Sequence, residues 1–141
     1  MIRAANIKDL ESVKLLVEEL EEQVFDFEVF RGIFDRNLQD KNVHYFVAEV
    51  DSSVVGFMSL FESTPLHHCY KIAELQELII NHKYRGLHIG EAFIKVAFEL
   101  GVINNWTQIE LSSHMKRLKA HSFYMRNGLT RRHFKFVKTL K

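Results

Sequence analysis

The segment Leu75-Gln76-Glu77-Leu78-Ile79-Ile80, followed by Tyr84-Arg85-Gly86-Leu87-His88-Ile89-Gly90, constrains this chain more than any other, because the residue rhythm changes at the glycines. Before them the apolar residues run together with no 3.6-residue period, as in a buried strand. After them Ile89, Phe93, Ile94, Val96, Ala97 and Leu100 recur at helical spacing. A strand that passes through a glycine-bearing loop into a helix leaves the first helical amides without internal acceptors, and such amides hold anions. A phosphate-bearing cofactor is therefore expected at this junction.

The rest of the chain supplies a sheet and further helices around that junction. Met1 to Ala5 reads as a short strand, and Asn6 caps a helix to about Glu22 with Leu10, Val13, Leu16, Val17 and Leu20 on one side. Phe27, Phe30, Phe34 and Leu38 mark a second amphipathic helix ending near Asp40-Lys41-Asn42, its phenylalanines expected in the core. His44 to Val50 and Val54 to Phe61 form two strands around an Asp51-Ser52-Ser53 turn, and Ile72 to Ile80 follows beyond Pro65. After the helix to about Gly101 come a strand at Ile109 to Leu111 and a helix carrying Ala120, Phe123 and Tyr124. That helix stops at Asn127-Gly128, a left-handed cap, and Leu129 to Leu140 has a strand-like alternation. The order predicts one α/β (α+β) domain over residues 1–141, with a mixed sheet.

Composition narrows the function classes. With 141 residues and a hydrophobic fraction of 47%, the chain has the length and composition of one folded domain. Nineteen Lys and Arg against 18 Asp and Glu leave a formal charge of +1, which gives no broad field for nucleic acid or an anionic membrane. Cys69 is the single cysteine, and no charged start followed by a long apolar run marks a signal peptide or membrane span, so a reducing cytoplasm is expected.

Glu77-Leu78-Ile79-Ile80, Arg85-Gly86-Leu87-His88-Ile89-Gly90 and Ala120-His121-Ser122-Phe123-Tyr124-Met125-Arg126-Asn127-Gly128-Leu129 together resemble the GNAT superfamily of acyl-CoA-dependent N-acetyltransferases. The resemblance implies a central mixed, mostly antiparallel sheet flanked by helices, with acetyl-CoA as cosubstrate. The family loop has the form Q/R-x-x-G-x-G/A; Arg85 and Gly90 occupy its ends, while His88 replaces the inner glycine. A side chain there is compatible with binding if it points away from the pyrophosphate, since amides hold the anion. The cofactor set implied is Leu78, Ile79, Ile80, Arg85, Gly86, Leu87, His88, Ile89, Gly90 and Glu91. A narrower resemblance is to aminoalkylphosphonate N-acetyltransferases. It runs from Phe30-Arg31 and Asn37-Leu38 through Leu66-His67-His68, Glu74-Leu75-Gln76-Glu77-Leu78 and Lys116-Arg117 to His133-Phe134-Lys135-Phe136.

Acetyl transfer to an amine needs a neutral amine, a held carbonyl and a proton for the departing thiolate. An alkylamine has a pKa of roughly 10.4, so at neutral pH a carboxylate placed directly or through water can take its proton. Glu77, a carboxylate inside an apolar strand beside the loop, is the expected base, against the reading of a salt-bridged or edge-exposed glutamate. Tyr124 resembles the family tyrosine that protonates the thiolate; the competing reading is a core aromatic beside Phe123. The Leu78 amide is a donor to the thioester carbonyl, and Ile80 pairs with the pantetheine arm as an added strand would. Arg31, His67, His68 and His133 are candidate acceptor contacts. His67-His68-Cys69 reads as structural or substrate-lining rather than as a metal cluster, because neighbours on an extended strand point to opposite faces; a divalent ion held by His67 or His68 with His133 or Glu77 across the sheet is the alternative. Lys116, Arg117 and Lys119 read as a solvated face, and the alternation through Phe134 and Phe136 as sheet packing or a dimer edge. The expected activity is N-acetylation of a small primary amine, in a possible homodimer. A peptide N-terminal acetyltransferase and a non-catalytic acyl-CoA-binding regulatory module are the alternatives.

Overall fold

A computed structural model describes residues 1–141, which form two compact units, Met1–Glu110 and Leu111–Lys141. The first unit holds β1 (Ile2–Ala4), α1 (Leu10–Glu21), α2 (Phe27–Leu38), β2 (Val43–Val50), β3 (Ser53–Ser63), β4 (Ile72–Ile80) and α3 (Ile89–Ile103). The strand β5 (Ile109–Leu111) crosses the boundary, and α4 (Leu118–Arg126) lies in the second unit.

The sheet keeps chain order, β1-β2-β3-β4-β5, and the first three pairings are antiparallel. Asp51 and Ser52 both have positive φ, 49° and 64°, the twist a two-residue hairpin requires between β2 and β3. Chain direction does not reverse between β4 and β5. Lys71 O accepts from Thr107 N at 2.9 Å and Gln108 O from Ala73 N at 3.2 Å, so numbers rise together on both sides. Such a parallel pair requires a crossover, and α3 is that crossover. The expected mixed, mostly antiparallel sheet is the one observed.

Entry into α1 is fixed by charge as well as capping. Asn6 Oδ1 accepts from Lys8 N at 2.9 Å, and Asn6 N donates to Asp9 Oδ2 at 2.8 Å. Arg3 donates to both oxygens of Asp9 at 2.9 Å and to Glu49 at 3.3 Å, tying β1 to the helix entry and to β2. Burial alone would raise the Asp9 carboxyl, but the Arg3 and Asn6 bonds outweigh it and hold the group below its ordinary value.

One face of the sheet packs on α1 and α2 through Val13, Leu16, Val17, Phe34, Val47, Phe57 and Ile79. Of the α2 phenylalanines expected in the core, Phe34 is buried, Phe30 is half-buried and Phe27 is exposed, because α2 turns only one narrow side inward. The opposite face receives α3 through Phe93. At Gly56 a Cβ would lie 2.9 Å from Phe93 Cε2 and 3.0 Å from Ile80 Cδ1, so this approach requires glycine.

In the second unit, α4 closes at Gly128, φ 91°, with Leu129 N donating to Tyr124 O at 3.1 Å. The strand expected over Leu129 to Leu140 does not form. Its alternation is a strand's, yet a strand also needs a neighbouring backbone, and beyond Leu129 the only hydrogen bond is Arg132 Nε to Thr130 Oγ1 at 3.0 Å. Phe134, Phe136, Val137 and Leu140 are accordingly exposed.

Candidate active site

The site begins with an irregularity in β4. Ser59 pairs with Glu77, but Leu60 pairs with Leu75, which leaves Gln76 as an extra, unpaired residue. This is a β-bulge, and it shifts the phase of β4 relative to β3. Tyr45 on β2 pairs with Ser59, so Tyr45, Ser59 and Glu77 form one row across three strands. They share the α1/α2 face with the neighbouring row Val47, Phe57 and Ile79. The phase shift thus sets a carboxylate at the rim of an apolar core.

Glu77 has few partners there. Ser59 Oγ donates to Glu77 Oε1, and Glu77 N donates back to Ser59 Oγ at 3.0 Å. Burial pushes the Glu77 carboxyl above its usual range; the Ser59 bond opposes this, and Glu21 adds like-charge repulsion. Tyr45 Oη accepts from Asn37 Nδ2 at 2.7 Å, and its phenol is raised by burial, with the Glu77 charge adding to the shift. Sequence reasoning missed Asn37, Tyr45 and Ser59 as neighbours of Glu77. The available signal was Ser59 itself, a hydroxyl between Met58 and Leu60 in an apolar strand.

The free side of β4 lies beside this row. The hydrogen bonds toward β5 begin at Lys71 and Thr107 and continue at Ala73 and Gln108, and β5 is three residues long, so it has run out before Glu77 to Ile80. Backbone groups of that stretch therefore have no strand on their far side. Arg85 Nε already donates to Ile80 O at 3.1 Å, which leaves Ile80 with one lone pair fewer for an added strand. Ile79 is core, and Leu78 is half-buried on the other face, in register with Met58.

The loop after β4 explains the departure at His88. Gly86 has φ 81° and His88 has φ 63°, ψ 19°, both left-handed, so the position where the family pattern has glycine demands what glycine does most easily. His88 is held there with Nδ1 3.2 Å from Glu91 Oε2 on the exposed side of the helix start. The first α3 hydrogen bond runs from Ala92 N to His88 O at 3.2 Å, so the amides of Ile89, Gly90 and Glu91 have no helical acceptor. Leu87, His88 and Ile89 line a cleft of about 400 Å³ together with Met1, Ile2 and Val50. An added Cβ at Gly86 would meet nothing within 4 Å. These features fit a pyrophosphate held by backbone, with Arg85 as the nearby cation; Glu91 offers its amide, since its carboxylate would repel the anion.

The other candidates scatter. Tyr124, in α4, is buried, which raises its phenol above the ordinary value against the opposing charge of Arg117. His67 and His68 are not on a strand as expected but in the turn after Pro65, whose carbonyl accepts from His68 N at 3.1 Å. Their rings therefore lie together, centroids 4.3 Å apart, instead of on opposite faces, and His68 Nε2 is 3.2 Å from Glu110 Oε2. No three His, Cys, Asp or Glu side chains converge at metal-ligating geometry. Arg31 is exposed and paired with Glu28 at 3.0 Å, and His133 lies on the exposed terminal segment.

Comparison with known proteins bears on this arrangement. The model of the acetyltransferase (GNAT) family matches residues 7–129. An aminoalkylphosphonate N-acetyltransferase of Salmonella typhimurium is 40% identical over 139 residues, 99% of this chain and 90% of that protein. Among solved structures, a transcriptional regulator from Bacillus halodurans C-125 superposes with a TM-score of 0.91 at 20% identity, over 99% of each chain. A ribosomal-protein-alanine N-acetyltransferase from Brucella melitensis biovar Abortus 2308 superposes with a TM-score of 0.82 at 16% identity, again over 99% of each. At those identities the structural likeness speaks for the fold alone.

Proposed function

The chain belongs to the acetyltransferase (GNAT) family, and on that premise we propose that it acetylates the amino group of a small aminophosphonate, acting as one domain over residues 1–141. Acetyl-CoA is the family's cosubstrate and supplies the activated acetyl group. The observation that carries the reading is the Tyr45-Ser59-Glu77 row beside the unpaired side of β4. The acceptor class comes from the Salmonella relative.

In this reading Glu77, its carboxyl raised by burial, takes the proton from the incoming ammonium and frees the nitrogen lone pair. The Leu78 amide donates to the thioester carbonyl, and Ile80 pairs with the pantetheine arm through its remaining ladder capacity. The amides from Arg85 to Glu91 hold the pyrophosphate. Nitrogen bonds to the carbonyl carbon as the carbon–sulfur bond breaks; Tyr124, protonated at neutral pH, gives the sulfur its proton, and the second proton that the nitrogen loses on becoming an amide restores the phenol. Of the acceptor candidates, His67 and His68, whose rings lie together after Pro65, are the ones proposed to meet the anionic group of the acceptor, since Arg31 is already paired with Glu28. The lone Cys69 supports a reducing cytoplasm, and the outer edge of β1, at the end of the sheet away from the cofactor side, supports a homodimer. No helix is long and apolar enough to cross a membrane.

The test is thiol release from acetyl-CoA against aminophosphonates, polyamines, amino sugars and a peptide, with and without divalent metal. Selective turnover of aminophosphonates is expected. Preference for the peptide would replace the acceptor class, and coenzyme binding without turnover of any amine would favour a regulatory module.

A further inference from the structure

We propose that Ser59 is a positioning residue for acetyl transfer, holding Glu77 Oε1 so that Oε2 alone faces the amine. This rests on Glu77 being the base. Three observations carry it. Ser59 is completely buried, with 0% exposure, so its hydroxyl has no water to bind. Its single proton goes to Glu77 Oε1, and Oε2 has no protein partner. Its oxygen also accepts the Glu77 amide at 3.0 Å, next to the bulge at which the ladder register breaks. A bulge disturbs the backbone hydrogen bonding of the strand, and here a side-chain oxygen serves as acceptor.

One small hydroxyl thereby fixes both ends of residue 77, backbone and carboxylate. A glutamate free to rotate about three side-chain bonds would present its oxygens in many directions, and proton transfer depends on one. The groups facing Glu77 are Tyr45 from β2, itself bonded by Asn37 of α2, Ser59 from β3, and Glu21 from α1. Ser59 is the one among them that donates to the carboxylate, so its loss shifts the balance toward the protonated acid.

Ser59→Ala, Ser59→Cys, Glu77→Gln and the double variant Ser59→Ala/Glu77→Gln test the assignment in steady-state kinetics across pH. Ser59→Ala is expected to lower kcat about tenfold, a fraction of a whole general base. The acid limb of its kcat/KM profile should move to higher pH, with acetyl-CoA affinity unchanged by calorimetry. In the Glu77→Gln background the same change should cost nothing further, since Ser59 acts through the carboxylate. Ser59→Cys, of similar volume and weaker as a donor, should lie between wild type and alanine, and it carries the test if the alanine variant does not fold. An unmoved acid limb, or equal losses with and without the Glu77 carboxylate, would overturn the role of Ser59. An inert Glu77→Gln change would instead overturn the base assignment itself.

Discussion

Two glutamates on the β3–β4 hairpin, Glu62 and Glu77, show how the same side chain is set to opposite ends of its chemistry. The Glu62 side chain, 5% exposed, accepts from Trp106 Nε1, sits 3.2 Å from His44 Nε2 and lies 3.5 Å from Lys71 Nζ. Burial acts to raise its carboxyl, but these donors and charges outweigh burial and hold it below the ordinary value. Glu77 has one hydroxyl and, at a distance, the like charge of Glu21, so burial prevails and its carboxyl rises. Burial alone does not distinguish a structural carboxylate from a reactive one. The number and charge of its partners does, because every donor that stabilises the anion also weakens it as a base.

The sharpest way to break this contrast is Glu77→Gln. It should lower kcat/KM by about 10³, within the range of a general base, while leaving the melting temperature unchanged or slightly higher. Comparable turnover by the variant would make Glu77 a second structural glutamate. Tyr124→Phe probes another buried group with a raised pKa; kcat should fall by about 10² with acetyl-CoA affinity preserved by calorimetry, and an unchanged rate at saturating amine would remove it as the acid.

Glu62→Gln should do the reverse of Glu77→Gln. It weakens charge-assisted bonds to Trp106, His44 and Lys71, so denaturant unfolding should show a loss of about 1–3 kcal/mol with kcat largely kept. Equal stability would mean that the cluster contributes nothing net. The smallest effect is on acid stability. Glu62, with a lowered folded pKa, adds stability above its unfolded pKa near 4.5, lost as pH falls through the folded value. Glu77, with a raised one, favours the folded state as pH falls through its own value above 4.5. Melting curves between pH 7 and 3 should therefore flatten for Glu62→Gln and steepen for Glu77→Gln; the same slope in both would remove the distinction.

Much of this molecule was legible in its residues because the signals were local. Asn6 and Gly128 act at the helix ends where their side chain or backbone freedom is needed, and the rhythm change at Gly86 to Gly90 marks the loop entering α3. Glu77 stood out as a charge in an apolar run. What stayed hidden depends on pairing between distant segments. The bulge at Gln76 exists only in the register between β3 and β4, so neither strand announces it, and without it Ser59 has no visible tie to Glu77. The histidine pair was misplaced for a related reason: Pro65 begins a turn whose closure is a hydrogen bond, which residue alternation does not encode. The terminal segment failed in the other direction, since Phe134 and Phe136 have a strand's alternation but no backbone beside them.

Residue pattern alone was enough for the elements from β1 to α4, the glycine-bearing loop and the identity of the base candidate, because these rest on periodicity and on conformations intrinsic to a few residues. Tertiary structure alone decided which hydroxyl holds that base, which glutamate is tied down and which is left reactive, and where β4 stays unpaired. Those are properties of contacts between separate segments, as with Ser59 and Glu77, 18 residues apart, and a proton's preference is set by such neighbours rather than by the residue that carries it.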